Sequence, residues 1–204
     1  VNYIVDQAGT KTVVADSMPL TDKKNITLNV NTDVPGKTFT VQLKNELKEE
    51  AAEYAMPEKL LVISDIEGNF EAFSNLLQFN GVIDTGFNWT FGNGHIALTG
   101  DFVDRGQLVT EVLWLIYSLE DKATAAGGHV HYVLGNHEIM NMSGDLRYVN
   151  AKYKESATLM NTTIESLFDD KSELGRWLRT KNIVEKIGDN LFVHGGISEE
   201  MNKL

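Results

Sequence analysis

Four short apolar runs, each ending at polar or ionisable side chains with glycine beside them, constrain this chain more than any other feature. Leu60-Leu61-Val62-Ile63 opens into Ser64-Asp65-Ile66-Glu67-Gly68, and His95-Ile96-Ala97-Leu98 into Thr99-Gly100-Asp101-Phe102-Val103-Asp104-Arg105-Gly106. His129-Val130-His131-Tyr132-Val133-Leu134 opens into Gly135-Asn136-His137-Glu138, and Leu191-Phe192-Val193 into His194-Gly195-Gly196. The first three read as buried strands of a parallel sheet, the last as a further strand. Helical stripes separate the first three: Phe70, Phe73, Leu76 and Leu77 over about 69–78, then Leu108, Val112, Leu115 and Leu119 over about 107–119. Such β-α repetition gathers the carboxyl ends of the strands on one edge, where an open α/β sheet takes its ligand.

Each strand end alone has a plainer explanation. An Asp after a strand commonly caps a helix or closes a turn, and Asp104 with Arg105 would serve as a helix start. Capping does not require four such ends at once. The convergent set is Asp65, Glu67, Asp101, Asp104, Asn136, His137 and His194. Carboxylate, imidazole and amide oxygen are donors for hard or borderline divalent ions such as Mn, Fe, Zn and Mg. Carboxylates crowded into one crevice repel one another unless a cation joins them. Two ions bridged by a carboxylate can activate water and hold a phosphoryl oxygen.

Composition excludes several classes. The chain has 204 residues, enough for one domain with a substantial core. With no Cys it has no disulfide, thiolate zinc site, Fe–S cluster or cysteine nucleophile. A formal charge of -11 opposes binding to nucleic acid or an anionic membrane surface. No stretch of apolar residues is long enough to span a bilayer. A chain that begins with Val1 is expected to have been processed or trimmed, which leaves a soluble protein, cytoplasmic or exported after signal removal.

The remaining segments read as follows. Asn25 to Val30 and Thr38 to Leu43 alternate around an Asp33-Val34-Pro35-Gly36 turn, predicting one β-hairpin. Lys44 to Met56 reads as a helix ended by Pro57. Gly92-Asn93-Gly94 suggests a hairpin leading into the strand at 95–98. Helices are expected at about 150–168 and 172–179, strands over 182–187 and 191–193, and a last short helix capped by Ser198. His129 and His131 share one strand face; they could bind metal, but such a pair more often packs or faces solvent. This gives an N-terminal hairpin-and-helix extension over 1–56 and a catalytic domain over 57–204, with a helical cap at about 141–180.

The stretches Gly100 to Gly106 and Gly135 to Glu138 resemble the calcineurin-like metallophosphoesterases, and within them the phosphoprotein phosphatase branch. Gly135 through Tyr148 is similar to the Shewanella-like phosphatases of that branch, and His194-Gly195-Gly196-Ile197-Ser198 matches a further motif. The resemblance covers about 60–198. It implies an α/β fold of four layers, a β-sandwich flanked by helices (α/β/β/α), incomplete here at its C-terminal end. It implies two divalent metal ions, with Mn²⁺ favoured over Fe, Zn or Mg. Asp101 would bridge the ions, Asp65 would bind the first, and Asn136 and His194 the second. His137, oriented by Asp104, would be the general acid. Arg105 would clamp the phosphoryl group, with Arg147 a second clamp.

The implied function is a metal-dependent phosphomonoesterase acting on a phosphoprotein or small phosphoester through a metal-bridging hydroxide. Two departures keep alternatives open. The family's first motif is Asp-x-His, whereas Glu67 stands in the imidazole position, either as an oxygen ligand that hardens the site toward Mn²⁺ or Mg²⁺ or as the cause of a weak first site. The family also carries a further metal-binding His beyond the His194 motif, so these 204 residues are expected to belong to a longer protein or to be completed in another way. The alternatives are a weak or inactive binding module of this fold and a phosphodiesterase or nucleotide hydrolase.

Overall fold

The computed structural model describes residues 2–7, 10–15, 17, 23, 25–34 and 36–203. Val1, Leu204 and the Pro35 of the expected turn lie outside these. Three parallel strands, β6 (Leu60–Ile63), β7 (His95–Leu98) and β8 (His129–Tyr132), pair in the order β6-β7-β8. Between them run α1 (Phe70–Phe79) and α2 (Val109–Ala125). Alternation along the strands decides what each face meets. Ile63, Ile96, Leu98, Val130 and Tyr132 enter the main core with Phe73, Leu77, Val112, Leu115 and Ile116 of the helices. His95, Ala97, His129 and His131 occupy the other face.

That second face meets another sheet, ordered β10-β9-β5, made of β5 (Glu53–Tyr54), β9 (Val184–Ile187) and β10 (Asn190–Val193). The imidazoles fill the gap between the sheets. His131 Nδ1 donates to Glu185 Oε2 at 2.8 Å, and its Nε2 lies 2.9 Å from His95 Nδ1. The Tyr54 ring packs on His129 and His131 at 4.7 and 4.5 Å. Burial, with His131 beside it, holds the His129 imidazole down to about 4, so it packs as the neutral form. The pair at 129 and 131 is therefore core, as one of its sequence readings had it.

The expected hairpin is β3 (Thr27–Asn31) with β4 (Thr38–Gln42), and it is built into the same core. Phe39 stacks on Phe70 at 6.0 Å and tilts against Phe87 at 5.5 Å. A second hairpin, β1 (Asn2–Gln7) with β2 (Thr10–Ala15), was not expected from sequence.

The predicted helix over Lys44 to Met56 is absent. The segment is extended because its groups are committed elsewhere: Lys44 N donates to Tyr117 Oη at 2.7 Å, and Glu50 N to Thr180 O at 3.0 Å. Glu50 also accepts from the buried Lys181 ammonium at 2.7 Å, and Lys186 N donates to Ala52 O at 2.8 Å. Its good helix formers lack an apolar stripe, and tertiary bonds override propensity. The turn at 91–94 forms, but β7 enters a parallel sheet, and the antiparallel bridge there joins Ile83 to Trp89.

Beyond β8 the chain forms α3 (Asn136–Ser143), and then α4 (Ala151–Leu159), α5 (Ile164–Leu167) and α6 (Glu173–Leu178). The helix expected over 150–168 is thus two. A 3₁₀ turn, Met201–Lys203, follows Ser198, whose Oγ accepts from Met201 N at 3.2 Å. Among the described residues no helix is long and apolar enough to cross a membrane.

Candidate metal and phosphoester site

The loops after β6, β7, β8 and β10 meet at one edge and are stitched through their backbones. Asp65 N donates to Gly100 O at 3.1 Å, Glu67 N to Asp101 O at 3.0 Å, and Gly106 N to Glu67 O at 2.9 Å. The turns are so tight that Asp65, Glu67, Asp101, Asp104 and Arg105 all have positive φ, five of the seven such non-glycine residues among those described. Each such residue costs roughly 1 kcal/mol, and strain of this kind persists where surrounding contacts over-determine the loop. The approach of the β7 and β8 loops leaves no room for a side chain. A Cβ at Gly135 would lie 2.2 Å from Asp101 Oδ1, and one at Gly100 (φ +90°) 2.6 Å from the Gly135 backbone.

Glu138, fully buried, supplies the contacts that hold this turn. Oε1 accepts from Phe102 N at 2.8 Å, Val103 N at 3.3 Å and Tyr132 Oη at 3.1 Å, while Oε2 accepts from Asp101 N at 2.9 Å and Gly135 N at 2.8 Å. Burial, reinforced by Glu138, pushes the Tyr132 phenol well above its ordinary range, so it remains a donor. Phe102 and Val103 anchor the turn from below, both fully buried.

On this frame the side chains converge. Donor atoms of Asp65, Asp101 and His194 lie within 4.8 Å of one another, and so do those of Glu67, Asp101 and His137. Asp101 belongs to both groups. Its Oδ2 is 3.2 Å from His194 Nε2, which is itself 3.0 Å from Asn136 Oδ1. His194 Nδ1 donates to Thr99 O at 2.7 Å, which turns Nε2 toward the carboxylates. These donors are oxygen and imidazole nitrogen, with no soft atom, and three carboxylates share the space. That chemistry fits a pair of hard or borderline divalent cations.

His137 is buried and donates from Nδ1 to Asp104 Oδ2 at 2.7 Å, leaving Nε2 directed into the cleft 3.9 Å from Asp101 Oδ2. Arg105 is half-exposed, ion-paired with Glu67, and 5.3 Å above the Tyr148 ring. Arg147 is on the rim and does not join the cluster. Its guanidinium binds Asp145 through two donors at 2.7–3.1 Å, which holds the Asp145 carboxyl below its usual range. Three contributors escaped the sequence reading: Glu138, Asn141, whose Nδ2 donates to Asp104 Oδ1 at 2.8 Å, and Tyr148, whose ring lies 5.1 Å from that of His137. The His-x-x-x-Asn spacing from His137 to Asn141, one helical turn, is the available signal for the second.

Residues 58–204 match the calcineurin-like phosphoesterase family. Shewanella-like protein phosphatase 2 of Arabidopsis thaliana is 28% identical over 189 residues, covering 72% of this chain and 48% of that protein. A symmetrical bis(5'-nucleosyl)-tetraphosphatase of Tolumonas auensis is 32% identical, over 68% of this chain and 44% of its own length. The crystal structure of a cold-active protein-tyrosine phosphatase from a psychrophilic Shewanella superposes with a TM-score of 0.83 at 36% identity, covering all of this chain and 62% of that one. The chain spans about half the length of the curated relatives it matches.

Proposed function

The chain belongs to the calcineurin-like phosphoesterase family, and from that premise we propose that it is a metal-dependent phosphomonoesterase acting on a phosphoprotein or small phosphoester. The observation that carries this reading is the meeting of four strand ends, which sets Asp65, Asp101, Asn136 and His194 beside the buried Asp104–His137 pair and Arg105. Family members use a dinuclear divalent metal site. Here Asp65, Glu67, Asp101, Asn136 and His194 would hold the ions, with Mn²⁺ favoured because the set is rich in carboxylate oxygen. When bound, the ions supply Lewis acidity toward phosphoryl oxygens and a nucleophile from water at neutral pH.

The chain's own residues do the rest. Arg105 offers a planar fork suited to the oxygens of a terminal phosphate dianion. Asp104 fixes the His137 tautomer so that Nε2 faces the cleft, where the imidazolium donates a proton to the departing alcohol oxygen. The Tyr148 ring lies 5.3 Å from the Arg105 guanidinium, 5.7 Å from that of Arg147 and 5.1 Å from the His137 ring, so it packs beside the residues proposed to act on the phosphoryl group. The helical segment over 141–180 is the proposed cap.

The test is hydrolysis with Mn²⁺ present, comparing p-nitrophenyl phosphate with bis-p-nitrophenyl phosphate. The expected result is turnover of the monoester at least about 100-fold above the diester, the difference of a bidentate clamp and a second anionic charge. A preference for the diester would move the assignment to a diesterase, and no phosphate release from either would leave a binding module. Glu67 is tested separately by Glu67→His. If the carboxylate is a ligand, the imidazole shifts first-site preference toward Zn²⁺ and raises its affinity about tenfold, near 1.4 kcal/mol. Unchanged stoichiometry and affinity in calorimetry would remove Glu67 from the ligand set.

A further inference from the structure

We propose that Asn141 is a positioning residue for proton donation, acting on His137 through Asp104; its catalytic consequence rests on the phosphomonoesterase reading above. Asn141 lies on α3, one helical turn after His137, and is almost completely buried. Its amide nitrogen donates to Asp104 Oδ1 at 2.8 Å and to the His137 carbonyl at 2.9 Å. Both neighbours are acceptors, so the amide has one possible orientation, with both N–H groups committed. Asp104 Oδ2 is taken by His137 Nδ1 at 2.7 Å, so the carboxylate is held at both oxygens and cannot rotate away from the ring.

The other half of the amide shows why asparagine is not there for packing. Asn141 Oδ1 is buried without a hydrogen-bond partner. Asn141 and Asp104 line a small cavity of about 30 Å³ whose other walls are mostly apolar, such as Val109, Leu113 and Val149, with Thr110 and Asn150 also present. A leucine would fill such surroundings without leaving an acceptor unmatched, and buried polar groups with unmet needs are rare unless another demand retains them. The demand visible here is the Asp104 carboxylate, which without Asn141 would keep His137 as its one side-chain donor among these bonds. Asn141 thus closes a chain of three side chains, Asn141 to Asp104 to His137, whose far end is the Nε2 that faces the cleft.

The test uses Asn141→Leu, which keeps the branched shape without the amide, and Asn141→Ala, which avoids overpacking should the first not fold. Two readouts separate positioning from general loosening. In the metal-loaded enzyme, kcat on phenyl phosphate, whose leaving group needs a proton, falls about 30-fold, and on 2,4-dinitrophenyl phosphate less than about threefold. KM stays within about twofold on both. In the metal-free chain, the His137 Nδ1 proton resonance, sharp and far downfield in the wild type, broadens or shifts in the variants. An equal fall across both esters, or an unchanged Nδ1 resonance, would overturn the proposal. If the wild type hydrolyses neither ester, the function reading fails while the resonance still decides whether Asn141 fixes the pair.

Discussion

Replacing Asp101 with Asn is expected to lower turnover of p-nitrophenyl phosphate by about 10³-fold or more, equivalent to some 4 kcal/mol of barrier, and to reduce bound metal. The carboxylate belongs to both donor groups of the cleft, and it lies 3.2 Å from His194 Nε2 and 3.9 Å from His137 Nε2 through the same oxygen. Asn keeps the shape and one acceptor. His137 N, which donates to Asp101 Oδ1 at 3.0 Å, retains its partner, and α3 stays in place. The second oxygen becomes an NH₂ group, which cannot ligate a cation and points a donor at the imidazoles. The substitution therefore removes charge from the centre while the frame of Glu138, Gly100 and Gly135 stands. Metal content by mass spectrometry, turnover and the thermal midpoint separate these effects. Wild-type turnover in the variant would sink the mechanism, and a collapse of the midpoint would show that Asp101 acts on the fold instead.

The strand ends were legible because two local signals coincide in them. A short apolar run favours a strand in a sheet, and the polar residues that follow at once lie at its edge, although Val62 of β6 and Leu191 of β10 stay about half exposed. No distant residue is needed for either signal, and β6, β7, β8 and β10 all form where the runs lie. What stayed hidden depends on partners far along the chain. Lys44 to Met56 reads as a helix by propensity, yet Lys44 and Glu50 answer to Tyr117 and Lys181, 73 and 131 residues away. α3 is polar in sequence, and the turn at 101–103, together with Gly135 N and Tyr132 Oη, gives Glu138 a reason to be buried. Arg147 is harder to place from sequence: its type and position suggest a clamp, and in the structure its guanidinium is paired on the rim with Asp145, two residues earlier. Local composition thus located the chemistry, and long-range contacts decided which neighbours serve it.

Glu138→Gln carries the largest expected loss of stability, about 3–5 kcal/mol, against a total of roughly 5–15 kcal/mol for a domain. Five donors converge on this one carboxylate, four of them backbone N–H groups and the fifth the Tyr132 hydroxyl. An amide of the same shape accepts through one oxygen and turns an NH₂ toward the donors on its other side. If the NH₂ replaces Oε2, Asp101 N and Gly135 N lose their acceptor; if it replaces Oε1, the loss falls on Phe102 N, Val103 N and Tyr132 Oη. Either way two or three buried donors go unmet, each costing about 1–3 kcal/mol. Local relaxation recovers part of that sum. Urea unfolding measures the effect as a lower midpoint at an unchanged slope. Tyr132→Phe, which removes one donor and leaves the carboxylate with four, should cost about 1 kcal/mol. In the double variant the two losses should not add, because one choice of amide orientation then strands one donor fewer. A wild-type midpoint for Glu138→Gln would mean that the 101–103 turn keeps its shape without this acceptor, and the strained backbone at Asp101 would need another support.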